Sequence, residues 1–191
     1  MANAANYLKG RIPLTSPRYA SFVACLELMD QRNAKVLVET GTARGGDRGF
    51  ISDGGSTIIF ADWAKDHDAQ LTTVDINFRS IFQSKQAVNP INSCVHFVNQ
   101  DSIWFLRRSN QKIDFLYLDS FDFDPNNPLP SQRHHLTEIS VAYPLLTKQS
   151  IVMVDDCDLP HGGKGELIID YLKKQGWGVV FSGYQVILVQ S

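Results

Sequence analysis

The sequence predicts an open, doubly wound α/β sheet of seven mostly parallel strands, with helices on both faces. Five short segments are apolar over nearly their whole length, which is typical of strands covered on both faces. Longer segments with helical periodicity separate them. The chain ends in "GWGVVFSGYQVILVQ", two strand-like segments around a glycine-containing turn, which predicts a C-terminal antiparallel β-hairpin. The order α(βα)₅ββ therefore predicts a Rossmann-like sheet with an antiparallel edge.

The predicted strands are rich in β-branched and aromatic residues, which favour a pleated, buried surface. In chain order they are "KVLVE" (35–39), "LTTVD" (71–75), "CVHFV" (94–98), "IDFLYLD" (113–119) and "IVMVDD" (151–156). The helix "PRYASFVACLELMDQ" precedes the first strand. The helices after it are "STIIFADWAKDH", "FRSIFQSKQAV", "SIWFLRRS", "SQRHHLTEISVAYPLL" and "KGELIIDYLKKQ".

Length and composition indicate one globular domain. The 191 residues, 43% hydrophobic and 20% charged, suit a single domain over 1–191 with an N-terminal extension at 1–17. The net charge of −2 gives no electrostatic reason to expect nucleic acid or an anionic membrane as a partner. No apolar run approaches the roughly 20 residues that span a bilayer. Three cysteines without CxxC spacing argue against a disulfide framework or a zinc site, and we expect a cytoplasmic protein.

An acidic residue stands at or just beyond the carboxyl end of every predicted parallel strand. In open α/β sheets, ligands bind outside these ends. The acids are Glu39, Asp75, Asp101, Asp119 and the pair Asp155-Asp156. Asp101 has a second interpretation, because an acid directly before "SIWFLRR" is also a common helix N-cap.

The turn after the first strand, "VLVETGTARGG", approximates a nucleotide-binding turn without matching the dinucleotide fingerprint. That fingerprint is Gly-x-Gly-x-x-Gly, whose middle glycine lets a pyrophosphate approach the backbone. Here Ala43 replaces the middle glycine. Asp75 suits a pair of ribose hydroxyls, since a carboxylate accepts both hydrogen bonds. The pattern favours a nucleoside-containing ligand without a pyrophosphate, although glycines in such a turn also serve geometry alone.

These segments resemble the motifs of class I S-adenosylmethionine-dependent methyltransferases from about residue 18 onward. "VLVETGTARGG" is similar to their first motif, "LTTVDIN" to their ribose-binding motif and "VNQDS" to the segment that contacts adenine. The resemblance implies that Asp75 binds the ribose and that Asp101 and Ser102 bind the adenine. It also implies that the methionine part is held by Glu39 and by the backbone of Gly41, Thr42, Ala43 and Gly45, with Asp119 close by.

One spacing departs from a compact nucleotide-binding unit. Asp75 lies 36 positions after Glu39, whereas such an acid usually follows the glycines by roughly 20 residues. The excess lies in the polar, glycine-rich segment "GGDRGFISDGGST". Two interpretations stay open, a lid over the cofactor and a tolerated surface insertion.

The fourth and fifth predicted strands end in carboxylates that we expect to converge. Asp119 ends one strand and Asp155 and Asp156 end the other. Close carboxylates repel each other unless protons or a cation neutralise them, and a hard divalent cation such as Mg²⁺ prefers oxygen ligands. The arrangement resembles catechol and caffeoyl-coenzyme A O-methyltransferases, which implies a metal site at these three residues, with Asp156 where asparagine is usual. Protons or hydrogen bonds alone are the alternative.

The same resemblance leaves the general base unassigned. Those enzymes carry a lysine shortly after the fourth-strand acid, but this chain has "LDSFDFDPNN" there. Candidates for proton transfer are Asp119 itself, His134 or His135 at the start of "HHLTEIS", and His161 in "DDCDLPHGG". His161 is also a candidate metal ligand, and each histidine is equally consistent with an ordinary surface position.

The sequence therefore favours methyl transfer from S-adenosylmethionine to a hydroxyl of a small molecule, with or without a divalent metal. A non-catalytic module that kept the cofactor site is the main alternative, supported by the missing lysine. A nicotinamide-dependent oxidoreductase fits less well because of Ala43 and the closing hairpin. Nucleic-acid methylation is disfavoured by the net charge and by the absence of an "NPPY"-type motif. A flat helical face in so small a domain is compatible with a homodimer.

Overall fold

The computed structural model of the chain describes residues 4–44, 55–88 and 93–190. Within these ranges the strands are β1 (Val36–Thr40), β2 (Gln70–Asp75), β3 (Val95–Asn99), β4 (Ile113–Leu118), β5 (Leu146–Val154), β6 (Trp177–Phe181) and β7 (Val186–Gln190). The helices are α1 (Ala5–Leu8), α2 (Tyr19–Gln31), α3 (Ser56–Asp66), α4 (Phe78–Ala87), α5 (Ser102–Arg108), α6 (Leu129–Ala142) and α7 (Glu166–Lys174). None of the helices in the described ranges has the length and apolarity needed to cross a membrane.

All seven strands form one sheet in the order β3-β2-β1-β4-β5-β7-β6. Strands β1 to β5 pair in parallel, and β7 is antiparallel to both of its neighbours, β5 and β6. The predicted mostly parallel sheet with a C-terminal antiparallel hairpin is confirmed. The direction of the strand order reverses between β1 and β4, and ligands of such sheets bind in the crevice at this reversal.

Hydrophobic cores cover both faces of the sheet. One contains fully buried aromatic side chains from α2, α3 and β4, among them Phe22, Phe60 and Phe115. The other joins β4, β5 and β7 to α6 and α7 through residues such as Ile139 and Leu172. The chain therefore folds as three layers, α/β/α, with the carboxyl ends of β1 to β5 along one edge.

The N-terminal extension packs against the first of these cores. Tyr7, Leu8 and Ile12 are 6%, 0% and 3% exposed, and α1 was not predicted from the sequence. The Tyr7 hydroxyl donates a hydrogen bond to Asp66 of α3 at 3.0 Å. Four residues carry too little periodicity for a sequence-based prediction, so this helix is defined by what it packs against.

The predicted boundaries of α6 and β5 moved furthest. Helix α6 begins two residues earlier than predicted, with a proline in its first turn, and ends at Ala142. Pro144 falls in a following 3₁₀ turn because proline cannot continue the α-helical hydrogen bonds. Strand β5 begins at Leu146, five residues before the predicted apolar run, since its first half is polar and partly exposed.

Candidate cofactor cleft and acidic cluster

A groove runs along the carboxyl ends of β1, β2 and β4. It consists of two adjoining depressions. Both are lined by Gly41, Asp75, Ile76 and Ser120, so they form one continuous cleft. The first depression also contains Thr42, Ala43, Arg44 and Asp119, and the second also contains Asp101, Ser102, Phe121 and His134. The cleft is at the strand ends where the sequence predicted a ligand.

Gly41 brings the β1 turn into direct contact with the end of β4. Its φ is +82°, and a Cβ built there would lie 2.3 Å from the carbonyl oxygen of Asp119. Its N–H donates a 2.8 Å hydrogen bond to the carbonyl of Val74 in β2. A side chain at this position is excluded by both the backbone conformation and the space. The glycine of the first motif therefore joins three strand ends at the base of the cleft.

Asp75 connects the two loops that border the cleft. Its Oδ2 accepts a hydrogen bond from the Thr42 N–H at 3.2 Å, and its Oδ1 accepts one from the Asn77 N–H at 2.7 Å. Each oxygen keeps further acceptor capacity, and the carboxylate lines both depressions. The predicted ribose-binding acid therefore lies at the centre of the cleft.

Glu39 lies behind the cleft wall and lines neither depression. It is fully buried, and its carboxylate accepts hydrogen bonds from the hydroxyls of Ser56 (2.5 Å), Thr57 (2.6 Å) and Thr73 (2.6 Å). Burial raises the pKa of Glu39 to about 7, against the opposing effect of the three hydroxyls. Thr57 Oγ1 also accepts the Ala43 N–H at 2.8 Å, so Glu39 supports the β1 turn through Thr57. A direct contact of Glu39 with a cofactor stays a prediction.

The second depression is built around the start of α5. Asp101 is the N-cap of this helix, since its Oδ1 accepts the Trp104 N–H at 2.8 Å, and it also lines the cleft. The N-cap interpretation of Asp101 is confirmed. A contact between Asp101 and a cofactor stays a prediction. Ser102 follows at the first helical position, with its Oγ 3.3 Å from His134 Nε2.

His134 belongs to this depression. Its Nε2 lies 3.5 Å from Oε1 of the fully buried Glu138, which also accepts a hydrogen bond from Ser120. Burial lowers the pKa of His134, but the hydrogen bond and charge of Glu138 outweigh burial, so the pKa is raised. His135, by contrast, is fully buried, and desolvation lowers its pKa to about 4. The structure groups His134 with the residues predicted to contact adenine.

The carboxylates of Asp119, Asp155 and Asp156 converge, as the sequence predicted. One oxygen from each lies within 4.8 Å of the other two. Hydrogen bonds between the strand ends align them, because the Asp155 N–H donates to the Leu118 carbonyl at 3.1 Å. We call these three residues the acidic cluster. Asp119 also lines the cleft, so the cluster lies beside the predicted methionine end of the cofactor.

Two cationic side chains, neither predicted from the sequence as part of the site, neutralise the acidic cluster. The Lys164 ammonium contacts Asp119 Oδ1 directly and lies 3.1 Å from Asp156 Oδ2. The Arg18 guanidinium donates to both oxygens of Asp155, at 3.2 and 2.9 Å, and its Nη2 lies 3.4 Å from Asp156 Oδ1. Their positive charges offset the repulsion between the carboxylates. From the sequence, a metal or protons were expected to do this.

Charge and burial act against each other throughout the acidic cluster. Burial raises the pKa of Asp119 well above its ordinary value, Lys164 opposes the rise, and Asp155 adds to it. For Asp156, burial also favours the protonated acid, but Lys164 and hydrogen bonding outweigh it and lower the pKa. Burial lowers the pKa of Lys164, but the carboxylates of Asp119 and Asp156 outweigh it, so the ammonium form is retained.

His161 lies in the turn that delivers Lys164. Its side chain is exposed and lines neither depression, and its backbone carbonyl accepts a 2.8 Å hydrogen bond from Gln132. Its predicted catalytic role therefore stays a prediction without a supporting contact in the described ranges. Gly45 and most of the predicted lid segment lie outside the described residues.

Comparison with solved structures supports the fold. NSun6 from Pyrococcus horikoshii, solved with SFG, matches with a TM-score of 0.65 and 13% identity over 86% of this chain, which spans 50% of that protein. The O-methyltransferase NovP matches with a TM-score of 0.66 and 15% identity, over 92% of this chain and 80% of NovP. The TDP-rhamnose 3′-O-methyltransferase CalS11 matches with a TM-score of 0.63 and 14% identity, over 98% of this chain and 85% of CalS11.

Other matching structures include the S-adenosylhomocysteine-bound PaMTH1 methyltransferase of Podospora anserina and a putative rRNA methylase of Clostridium thermocellum. No family model matches the chain, and no curated protein matches its sequence. The chain has the fold of the class I S-adenosylmethionine-dependent methyltransferases.

Proposed function

We propose that this protein transfers a methyl group from S-adenosylmethionine to a hydroxyl of a small molecule. The observation that carries the proposal is the position of Asp75 beside the Gly41 turn, at the reversal point of a sheet with the methyltransferase strand order. A carboxylate with free acceptor capacity suits a ribose diol, and a side-chain-free turn suits close approach of a ligand to the backbone.

The lining of the cleft supports one orientation of the cofactor. The second depression offers the apolar surfaces of Ile76 and Phe121 together with the polar atoms of Ser102 and His134, which suits a flat nucleobase with edge polar atoms. The first depression offers the Thr42–Arg44 backbone, which suits the amino-acid part. With the ribose at Asp75 between them, the transferable methyl group is on the side of Asp119.

The acidic cluster supports proton removal from an acceptor hydroxyl. S-adenosylmethionine supplies an electrophilic methyl group on a positively charged sulfur. Lys164 contacts Oδ1 of Asp119, which leaves Oδ2 to accept the proton of an acceptor hydroxyl. Burial raises the pKa of Asp119, which makes it a stronger base than an exposed carboxylate.

The charge of this region favours a small acceptor over nucleic acid. Arg18 and Lys164 offset most of the charge of the three carboxylates, so the cluster presents no net positive charge to a polyphosphate backbone. A neutral hydroxyl compound needs no such attraction. This argument concerns the acceptor alone, because rRNA methylases are among the proteins with a similar fold.

Calorimetric titration with S-adenosylhomocysteine tests the cofactor assignment. We expect the native protein to bind and Asp75→Ala to lose at least about 100-fold in affinity, since two hydrogen bonds to a charged group contribute about 1.5–3 kcal/mol each. Asp170→Ala removes the same charge from an exposed position on α7 and is the matched control. Equal affinity in the Asp75 and Asp170 variants would contradict the assignment.

Methyl transfer with labelled S-adenosylmethionine tests the acceptor class. The panel contains nucleotide sugars, phenols and rRNA fragments as three separate arms. We expect label only in a small-molecule arm. Label in rRNA would overturn the acceptor assignment and keep the cofactor site. Binding of S-adenosylhomocysteine without transfer to any arm would instead support a non-catalytic module.

A further inference from the structure

The acidic cluster has the ligand atoms that a hard divalent cation requires, but the chain's own cations already use them. The convergent oxygens come from three carboxylates within 4.8 Å of each other. Both oxygens of Asp155 bind Arg18, and the two oxygens of Asp156 face Arg18 and Lys164 separately. A divalent ion would have to share these oxygens with two positive groups at hydrogen-bond distance.

Lys164 lies between the ends of β4 and β5. Its ammonium contacts Asp119 from one strand and Asp156 from the other, and the residue is only 1% exposed. A charged group is buried to this extent in proteins only when paired or hydrogen-bonded. A metal ion bound by these carboxylates would bridge the two strand ends. In this chain the Lys164 ammonium occupies that bridging position.

The backbone around Lys164 is shaped to place it there. His161, Gly162 and Gly163 have φ values of +60°, +76° and +56° in succession. A Cβ on Gly163 would lie 1.7 Å from the Asp156 carbonyl oxygen, and the Lys164 N–H donates to this same oxygen at 3.0 Å. Glycine adopts positive φ readily, but His161 carries a side chain, so its conformation is unfavourable and persists only when the surroundings hold it.

Gln132 of α6 holds this turn in place. Its side-chain Nε2 donates to the carbonyls of His161 and Gly163, at 2.8 and 3.0 Å, and the residue is 3% exposed. A buried amide bound to two turn carbonyls fixes the point at which the chain enters the cluster. The position of Lys164 is therefore determined by the backbone as well as by its ion pairs.

We propose that Lys164 is a built-in substitute for a divalent cation in the acidic cluster, and that the native protein binds no metal there. Lys164 and Arg18 hold the three carboxylates together, and Lys164 orients Asp119 toward the cleft. The proposal concerns the cluster itself and does not depend on the cofactor. It replaces the metal site that the sequence predicted at Asp119, Asp155 and Asp156.

Titration with Mn²⁺, followed by calorimetry and by the electron paramagnetic resonance of free Mn²⁺, tests the proposal. We expect no stoichiometric binding to the native protein. Lys164→Ala opens the space and removes the repelling charge, so we expect one Mn²⁺ to bind about 100-fold or more tightly than to the native protein. In the double variant Lys164→Ala/Asp119→Asn this binding is lost.

Lys174→Ala is the matched control, because it removes an exposed lysine that pairs with Asp170 on α7. It should bind no more Mn²⁺ than the native protein. Lys164→Gln, which keeps most of the length of the side chain without its charge, provides a second variant if Lys164→Ala folds poorly. Added Mn²⁺ should raise the thermal midpoint of either Lys164 variant and leave that of the native protein unchanged.

Two results would overturn the proposal. The first is one Mn²⁺ bound to the native protein and lost in Asp156→Asn. The second is a folded Lys164 variant, by circular dichroism, that binds no more Mn²⁺ than the control. Neither experiment involves S-adenosylhomocysteine, so failure here leaves the cofactor assignment to its own titration.

Discussion

The substitution Glu39→Gln probes a buried carboxyl group that has no counter-ion among the residues that the structure describes. Within those residues its carboxylate accepts hydrogen bonds from the hydroxyls of Ser56, Thr57 and Thr73, and burial raises its pKa from 4.5 to about 7. Between these two pH values the folded protein holds a proton that the unfolded chain has released. This group's contribution to the free energy of unfolding is therefore largest at acidic pH and is lost as the pH rises through 7.

The pKa difference sets the size of the effect. Integrated over pH 5 to 8, a shift from 4.5 to about 7 corresponds to about 2.5 kcal/mol of unfolding free energy. Glutamine at position 39 is similar in shape and does not titrate. The free energy of unfolding of Glu39→Gln should therefore rise relative to that of the native protein by about 2.5 kcal/mol from pH 5 to pH 8.

Urea unfolding at several pH values measures this difference, because titrations of all other groups are shared by the two proteins and cancel. In thermal melts the same change is roughly 5–10 °C for a chain of this size. Glu27→Gln makes the same chemical change at an exposed position of α2 and controls for the loss of a carboxylate. A native-minus-variant difference that stays constant with pH would show that the three hydroxyls offset burial, and would refute the reasoning.

Two further substitutions test the cleft floor and the acidic cluster. Gly10→Ala and Gly41→Ala both place a side chain at positive φ, but only the second creates a clash. In urea unfolding, the free energy of unfolding should fall by about 1 kcal/mol for Gly10→Ala and by at least about 2 kcal/mol more for Gly41→Ala. Similar losses would mean that the close approach at Gly41 is absent. Arg18→Met leaves Asp155 buried without its cation and should lower the free energy of unfolding by about 3–5 kcal/mol. Arg11→Met removes an arginine from a partly exposed ion pair and should lower it by less than about 1 kcal/mol. A small loss in Arg18→Met would show that Asp155 does not depend on this ion pair.

The order of strands and helices follows from local patterns in the sequence. Segments such as "IDFLYLD" are apolar over nearly their whole length, which is typical of a strand covered by helices on both faces. The right-handed crossover of such units then places the carboxyl ends of the parallel strands along one edge. The convergence of Asp119 with Asp155 and Asp156 was predictable for this reason, as was the central position of Asp75.

The sequence could not show what surrounds these acids. Arg18 and Asp155 are 137 positions apart, and no local pattern links them. Lys164 stands between glycines, as an exposed loop lysine would, and only the left-handed turn held by Gln132 buries it. "GGKG", which begins six positions after the acidic pair, was the one available signal, and it does not show where the lysine points.

The sequence by itself determined the class of fold, the edge of the sheet that holds the cleft, and the acids that line it. Tertiary structure alone decided that Glu39 lies behind the cleft and that Lys164 and Arg18 neutralise the acidic cluster. The physical reason is that periodicity and turn chemistry are local properties of the chain. The charge state and role of a carboxylate depend instead on burial and on partners that only the folded chain brings together.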